Sequence, residues 1–252
     1  MRFKDRIAIV TGAGSKRGIG RTTALTLARG GADIVVGDLD LQGAEAVVDE
    51  IKALGRRSIA VKVDVSKQED VSRLVQKALD QFGRIDILVN NAGITQPIKV
   101  LDMTEADWDR VITTNLKGTF LCSKAVLPAM IKQGYGRIVN LSSVSGKRGG
   151  GVFGGAHYSA AKAGILGFAK ALAREVAAFG ITVNSVAPGL VATDIRGNLE
   201  SPERQKEMSI DIPCQRLGTP EDIAAAIAFL ASEEAGYITG EDIDINGGSH
   251  MD

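Results

Sequence analysis

Along this chain, short runs of β-branched and aliphatic residues alternate with longer stretches in which apolar residues recur every three or four positions. The runs at 7–10, 33–36, 58–63, 85–89, 137–141, 181–186 and 243–245 read as strands. Most are nearly continuous in apolar character, as strands covered on both faces must be. The stretches at 18–29, 42–54, 68–82, 105–132 and 158–179 carry helical periodicity. Alternating strands and helices joined by right-handed crossovers give a parallel, doubly wound α/β sheet of about seven strands, with helices on both faces.

No repeat beyond that alternation, no low-complexity linker and no charge block interrupts residues 1–252, so a single domain is expected. Three aperiodic stretches, 94–101, 145–156 and 190–213, each follow a strand. Ligands bind at the carboxyl ends of strands in an open α/β sheet, which makes these stretches pocket walls, with 190–213 as a substrate lid.

Thirty Lys plus Arg balance thirty Asp plus Glu. Without a basic excess, nucleic-acid binding is not expected. Two cysteines, Cys122 and Cys214, make neither a disulfide scaffold nor a metal cluster, and both are expected to be buried, reduced thiols. Residues 1–10 hold no apolar run of signal length, and no stretch reaches membrane-spanning length, so a cytoplasmic enzyme is the expectation.

Candidate chemistry begins after the first strand. Thr11-Gly12-Ala13-Gly14-Ser15-Lys16-Arg17-Gly18-Ile19-Gly20 joins a strand to a helix, the context a phosphate-binding turn requires. Glycines let the backbone approach a pyrophosphate whose charge faces the helix N-terminus. Asp38 ends the second strand, where a carboxylate can accept the adenosine ribose hydroxyls and repel a 2′-phosphate. NAD is therefore the expected cofactor, with NADP left open by Lys16 and Arg17, which could supply compensating charge. Against this stands the plainer reading of Asp38 as a solvated strand end.

Tyr158 and Lys162 share a helix face at i, i+4 spacing. A phenol is a poor acid/base at neutral pH, and a neighbouring cation brings it toward working range. Ser142 and Ser143 end the strand at 137–141, where a hydroxyl can hold a substrate oxygen. Alone, the first pair reads as a snorkelling surface pair and the second as a turn. His157 reads as a packing or loop residue rather than a base, and with only two histidines in the chain no zinc or other metal site is expected. Trp108 reads as a helix-packing anchor, and Lys147 and Arg148 as a solvated basic pair.

Together these landmarks resemble the short-chain dehydrogenase/reductase family across nearly the whole chain. Added to them are Asp64-Val65, Asn90-Asn91-Ala92-Gly93, Asn115, Asn140-Leu141-Ser142-Ser143, Pro188-Gly189 with Thr193, and Asn246-Gly247-Gly248. The resemblance implies that Ser143 orients the substrate oxygen, that Tyr158 is the acid/base, and that Lys162 lowers its pKa while binding the nicotinamide ribose. It further implies that Asn115 holds a water linking Lys162 to solvent. Cofactor contacts are implied for Gly12, Ser15, Arg17, Gly18, Ile19 and Gly20 in the phosphate loop, and for Asp38, Asp64, Val65, Asn91, Ala92 and Gly93 on the adenosine side. Pro188, Gly189, Val191 and Thr193 are implied at the nicotinamide.

Two departures from the family pattern stand out. The glycine loop holds five residues, Ala13 to Arg17, where three are usual, and the Ser143-to-Tyr158 interval is lengthened by the glycine-rich stretch 149–155.

The family implies an oxidoreductase acting on CH–OH or carbonyl groups, assembled as a homotetramer through the helices at 105–132 and 158–179. Asp38 favours an NAD-linked dehydrogenase of a small polyol, sugar or other secondary alcohol. The alternative is a 3-oxoacyl-[acyl-carrier-protein] reductase, a group that generally uses NADPH and carries arginines for its acidic carrier where this chain has Gly134 and Phe179. A relative that kept the fold and lost the chemistry is the remaining reading.

Overall fold

The computed structural model describes residues 1–150, 153–195 and 201–251. Seven strands, β1 (Ile7–Thr11), β2 (Asp33–Asp38), β3 (Ser58–Lys62), β4 (Ile87–Asn90), β5 (Gly136–Leu141), β6 (Ile181–Pro188) and β7 (Asp242–Ile245), form one sheet in the order β3-β2-β1-β4-β5-β6-β7. Every pairing is parallel. The order reverses between β1 and β4, so the loops after these strands diverge and leave a crevice at their carboxyl ends.

Successive strand residues feed opposite cores. Ala8, Val10, Ile34, Val36, Ile87 and Val89 pack under α1 (Ile19–Arg29), α2 (Leu41–Ala53) and α9 (Pro220–Leu230). Ile9, Val35, Leu88, Ile138 and Val183 pack under α3 (Gln68–Phe82), α5 (Gly118–Gln133) and α7 (Ala156–Val176). Both faces are covered, which is why the strands read as continuous apolar runs.

Helix limits have local causes. α3 and α5 end at Gly83 and Gly134, whose φ of 76° and 65° is the left-handed conformation that glycine adopts without steric cost. α4 (Glu105–Ile112) and α9 begin with capping boxes, Thr104 with Asp107 and Thr219 with Asp222. At the amino edge of the sheet the fully buried Asp86 carboxylate is neutralised by Arg6 at 3.1 Å and Arg84 at 2.5 Å, and accepts the Ile7 N–H at 2.9 Å.

Several expectations need correction. The helix expected over 105–132 is α4 and α5 joined by a π-helical turn at Thr113–Lys117. The aperiodic stretches contain α6 (Val144–Arg148) and α8 (Pro202–Ser209), each too short to show a period. Ser143 and Ser201 cap them by accepting the backbone N–H of Ser145 and Arg204. α9 shows the same difficulty, because Ala-rich periodicity blends with its surroundings. Part of the lid at 190–213 and part of the glycine-rich stretch at 149–155 lie outside the described residues.

Cys122 is buried as expected, but Cys214 is exposed. Trp108 is 41% exposed and so is not a packing anchor within this chain. Lys147 is not solvated: its ammonium lies 3.0 Å from Asp244 with only 9% of the side chain exposed. No described helix is long and apolar enough to cross a membrane.

Candidate active site

The carboxyl ends of β1, β2, β4, β5 and β6 open into one cleft of about 1180 Å³. Its floor begins at the glycine loop. Gly12 has φ of +65°, and a Cβ there would lie 2.6 Å from the Ala92 Cα, so only glycine lets the loops after β1 and β4 meet. The Asn91 amide bridges them by donating to the carbonyls of Thr11 at 2.9 Å and Gly12 at 2.7 Å. From below, the Thr11 hydroxyl accepts the N–H groups of Asn91 and Ala92 and donates to the Val89 carbonyl. Thr11 thus holds the loop pair, a role its place in the Thr-Gly motif could have signalled.

Gly18 caps α1 without a side-chain hydrogen bond, and the first turn carries no acid. Its backbone donors therefore face the cleft beside Ser15 and Ile19, ready for an anion. Two residues expected at the cofactor stand elsewhere. Gly20 lies behind the loop, where a Cβ would meet Gly12 O and the Asn91 amide at 2.5 Å. Arg17 turns across the mouth of the cleft to Asp194, with Nε 2.9 Å from Oδ1. Asp38 does line the cleft, and its carboxylate accepts the backbone N–H groups of Gly14 at 2.7 Å and Asp40 at 2.9 Å. Asp64, held by Ser66, lies with Val65 beyond it, followed by Asn91, Ala92 and Gly93.

Ser143, Tyr158 and Lys162 meet at the end of β5. Ser143 caps α6, which follows β5 directly, and the lengthened loop returns the chain to α7, whose first turn carries Tyr158. Ser142 faces away from the chemistry, its hydroxyl donating to the Lys162 carbonyl at 2.8 Å. Lys162 is 4% exposed, and its ammonium donates to the Leu141 carbonyl at 2.6 Å and lies 5.5 Å from the centroid of the Tyr158 ring. Burial pushes that ammonium down to about 8. Burial also raises the phenol above its ordinary value, and the hydrogen bond between Tyr158 and Ser143 opposes the rise. Within the protein alone, Ser143 rather than Lys162 favours the phenolate.

Asn115 sits on the π-helical turn, where the widened backbone frees carbonyls. Its amide nitrogen donates to Val111 and Ile94, and its buried Oδ1 has no hydrogen-bond partner among the described residues. A Cβ on Gly93 would lie 2.5 Å from that oxygen and 3.6 Å from the Lys162 ammonium, so oxygen and ammonium flank the same small space. Pro188, Gly189, Val191 and Thr193 close the wall opposite. No group of three or more His, Cys, Asp or Glu is placed to hold a metal ion among the described residues.

The cleft fits a dinucleotide: it pairs a glycine cradle at an uncapped helix N-terminus with a carboxylate at the end of β2 and the cluster of Ser143, Tyr158 and Lys162. Comparison with known proteins agrees. A family model described as enoyl-(acyl carrier protein) reductase matches residues 12–250. An uncharacterized short-chain type dehydrogenase/reductase of Sinorhizobium fredii is 44% identical over 249 residues, 98% of each chain. A 3-oxoacyl-[acyl-carrier-protein] reductase of Staphylococcus epidermidis is 47% identical over 250 residues, 98% of this chain and 100% of that one. Another, of Synechocystis, is 48% identical over 248 residues, 98% and 97% of the two chains. With its parallel sheet, its dinucleotide-shaped cleft and these matches along nearly its whole length, the chain belongs to the short-chain dehydrogenase/reductase family.

Proposed function

We propose that this chain interconverts a 3-oxoacyl thioester and its 3-hydroxy form, using a nicotinamide dinucleotide and Tyr158 as the acid/base. The observation that carries the chemistry is the meeting of Ser143, Tyr158 and Lys162 at one end of a dinucleotide-shaped cleft. The substrate class is supported by relatives that are named reductases of such substrates.

In this reading the phosphate loop from Gly12 to Ile19 holds the pyrophosphate, with Gly20 packing behind it. Asp38, Asp64, Val65 and Asn91 to Gly93 hold the adenosine side, and Lys162, Pro188, Gly189, Val191 and Thr193 the nicotinamide side. The nicotinamide, when bound, supplies the hydride in reduction and accepts it in oxidation. Ser143 holds the substrate oxygen and Tyr158 gives it a proton, or takes one in the reverse direction. The Lys162 ammonium lies close enough to support the phenolate left behind. Asn115 Oδ1, which faces the same space as that ammonium, would order a water that returns the proton, a role supported by its lack of a hydrogen-bond partner among the described residues.

A second reading, an NAD-linked dehydrogenase of a small polyol, sugar or other secondary alcohol, is favoured by Asp38. It is also favoured by Gly134 and Phe179, which stand where carrier-binding arginines would be expected. Turnover of acetoacetyl-coenzyme A and of a panel of secondary alcohols, each with NAD(H) and NADP(H), separates the readings. Faster turnover of the alcohols would favour the dehydrogenase, and no turnover at all would point to a binding relative.

A homotetramer and a cytoplasmic setting complete the proposal. Ala160, Ala163, Gly167 and Ala171 leave one face of α7 exposed and smooth, and Phe120 and Phe179 are exposed as well, whereas Ala161 and Gly164 pack inward. Light scattering at micromolar concentration tests the assembly.

A further inference from the structure

The cleft wall nearest Tyr158 includes Thr95, Phe153 and Gly154, from the segments after β4 and before α7, and these segments are bonded to each other. The Thr95 hydroxyl donates to the Phe153 carbonyl, and the Gly155 N–H donates to the Gln96 carbonyl at 3.1 Å. α7 starts at Gly155 without a side-chain cap and without an acid in its first turn. The orphan N–H of Tyr158 is instead taken by Nδ1 of the preceding residue, His157, at 2.9 Å.

That bond assigns the rest of the network. Nδ1 accepts, so the neutral ring carries its proton on Nε2, which faces Gln96 Oε1 at 3.4 Å. The Gln96 amide can sit only one way round. Its nitrogen donates to Asp107 at 2.8 Å, which only accepts, and its oxygen accepts from Arg110 at 2.9 Å, which only donates. Asp107 is in turn fixed by the capping box with Thr104 at the start of α4. His157 is fully buried, and a Cβ on Gly155 would lie 2.8 Å from its ring.

We propose that Gln96, acting through His157, is a positioning residue for Tyr158, anchoring the first turn of α7 to the N-terminus of α4. The inference rests on Tyr158 as the acid/base, and Tyr158→Phe is the control for that reading. If Tyr158→Phe keeps its turnover, the acid/base reading fails whatever His157 does.

The test compares wild type with Gln96→Ala, His157→Ala and His157→Asn, measuring NADH binding by fluorescence titration and kcat across pH. Misplacement of a reacting group by about 1 Å can cost about 100-fold, so the two alanine variants are expected to lose about 10- to 100-fold in kcat. NADH binding is expected to stay within about threefold, because the network lies outside the cofactor cradle. His157→Asn, whose amide can accept the Tyr158 N–H, is expected to recover to within about fivefold of wild type. The limb of the kcat profile that reports the phenol should move to higher pH in Gln96→Ala, since a displaced Tyr158 loses its hydrogen bond to Ser143. Wild-type kcat in Gln96→Ala would overturn the proposal, as would parallel loss of NADH binding and kcat, or no recovery in His157→Asn. Should His157→Ala fail to fold, Gln96→Ala, half-buried in a loop, decides the matter alone.

Discussion

Asp38 Oδ2 accepts the backbone N–H of Gly14 at 2.7 Å, tying the end of β2 to the lengthened phosphate loop. In the proposed binding mode the carboxylate so fixed would face a 2′-phosphate. Two unit charges 4 Å apart repel by about 4 kcal/mol at an effective dielectric of about 20. Of the two candidates to offset this, Lys16 and Arg17, Arg17 is bonded to Asp194 and more than half exposed. An exposed ion pair of that kind contributes only about 0–1 kcal/mol. NAD(H) is therefore expected to be preferred over NADP(H) by at least about tenfold in kcat/KM, and Asp38→Ala to narrow or reverse the preference. Paired kinetics with both cofactors check this, and equal use by the wild type would show that Arg17 leaves Asp194 for the phosphate.

Lys162 makes a stability prediction with a definite sign. Burial pushes its ammonium from 10.5 to about 8, so between those values the unfolded chain binds more protons than the folded one. Stability then rises with pH across that window, and the burial penalty is fully present below it. At about 1.4 kcal/mol for each tenfold change in proton affinity, the penalty is on the order of 3 kcal/mol. Lys162→Met is expected to stabilise the fold by about 1–3 kcal/mol at neutral pH while abolishing turnover, part of the gain being offset by the unpaired Leu141 carbonyl. Denaturant melts at neutral pH and near pH 10 should show the gain shrinking in the alkaline sample.

Ser143 opposes the burial-driven rise of the Tyr158 phenol. Ser143→Ala removes that opposition, so in the alcohol-oxidising direction, where phenolate is the base, the rising limb of kcat should move to higher pH. The maximal rate should fall by about 10- to 100-fold through loss of the hydrogen bond to substrate. A pH–rate profile measured with saturating cofactor distinguishes these two effects, and an unmoved limb would remove Ser143 from the proton exchange.

At the opposite edge of the sheet, Asp86→Ala leaves Arg6, Arg84 and the Ile7 N–H facing a void. Both guanidiniums stay partly exposed and Arg6 keeps Glu233, so the cost is mainly that of the unpaired Ile7 N–H and the void, about 1–3 kcal/mol. Chemical denaturation should show that loss while NADH binding per folded molecule stays unchanged, because the carboxylate lies at the amino edge of the sheet and the cleft at the carboxyl edge.

Much of this was legible in the sequence because the strongest signals were long or fixed in spacing. Strands buried on both faces read as apolar runs, and α1, α2 and α3 read at close to their observed limits. α6 and α8 are too short to have a period, and the π-helical turn that presents Asn115 spans only five residues between two helices, so it reads as ordinary helix. At the site, the motif residues were visible but their pairings were not. Nothing in spacing turns Arg17 toward Asp194 or links Gln96 to His157, since each pair joins segments distant in sequence. The influence of Lys162 on Tyr158 was expected from i, i+4 spacing alone, whereas burial dominates both groups.

In the proposed mechanism Tyr158 is the group that exchanges a proton with the substrate, and the other cleft residues bind, orient or support it. Tyr158→Phe keeps the ring, its packing against Gly154 and its place over Lys162, and removes one oxygen. Single-turnover reduction of a 3-oxoacyl thioester by bound NADH, measured beside NADH affinity, tests the claim most directly. The account predicts a loss of at least about 100-fold in rate with affinity within about threefold. A rate near wild type would contradict it.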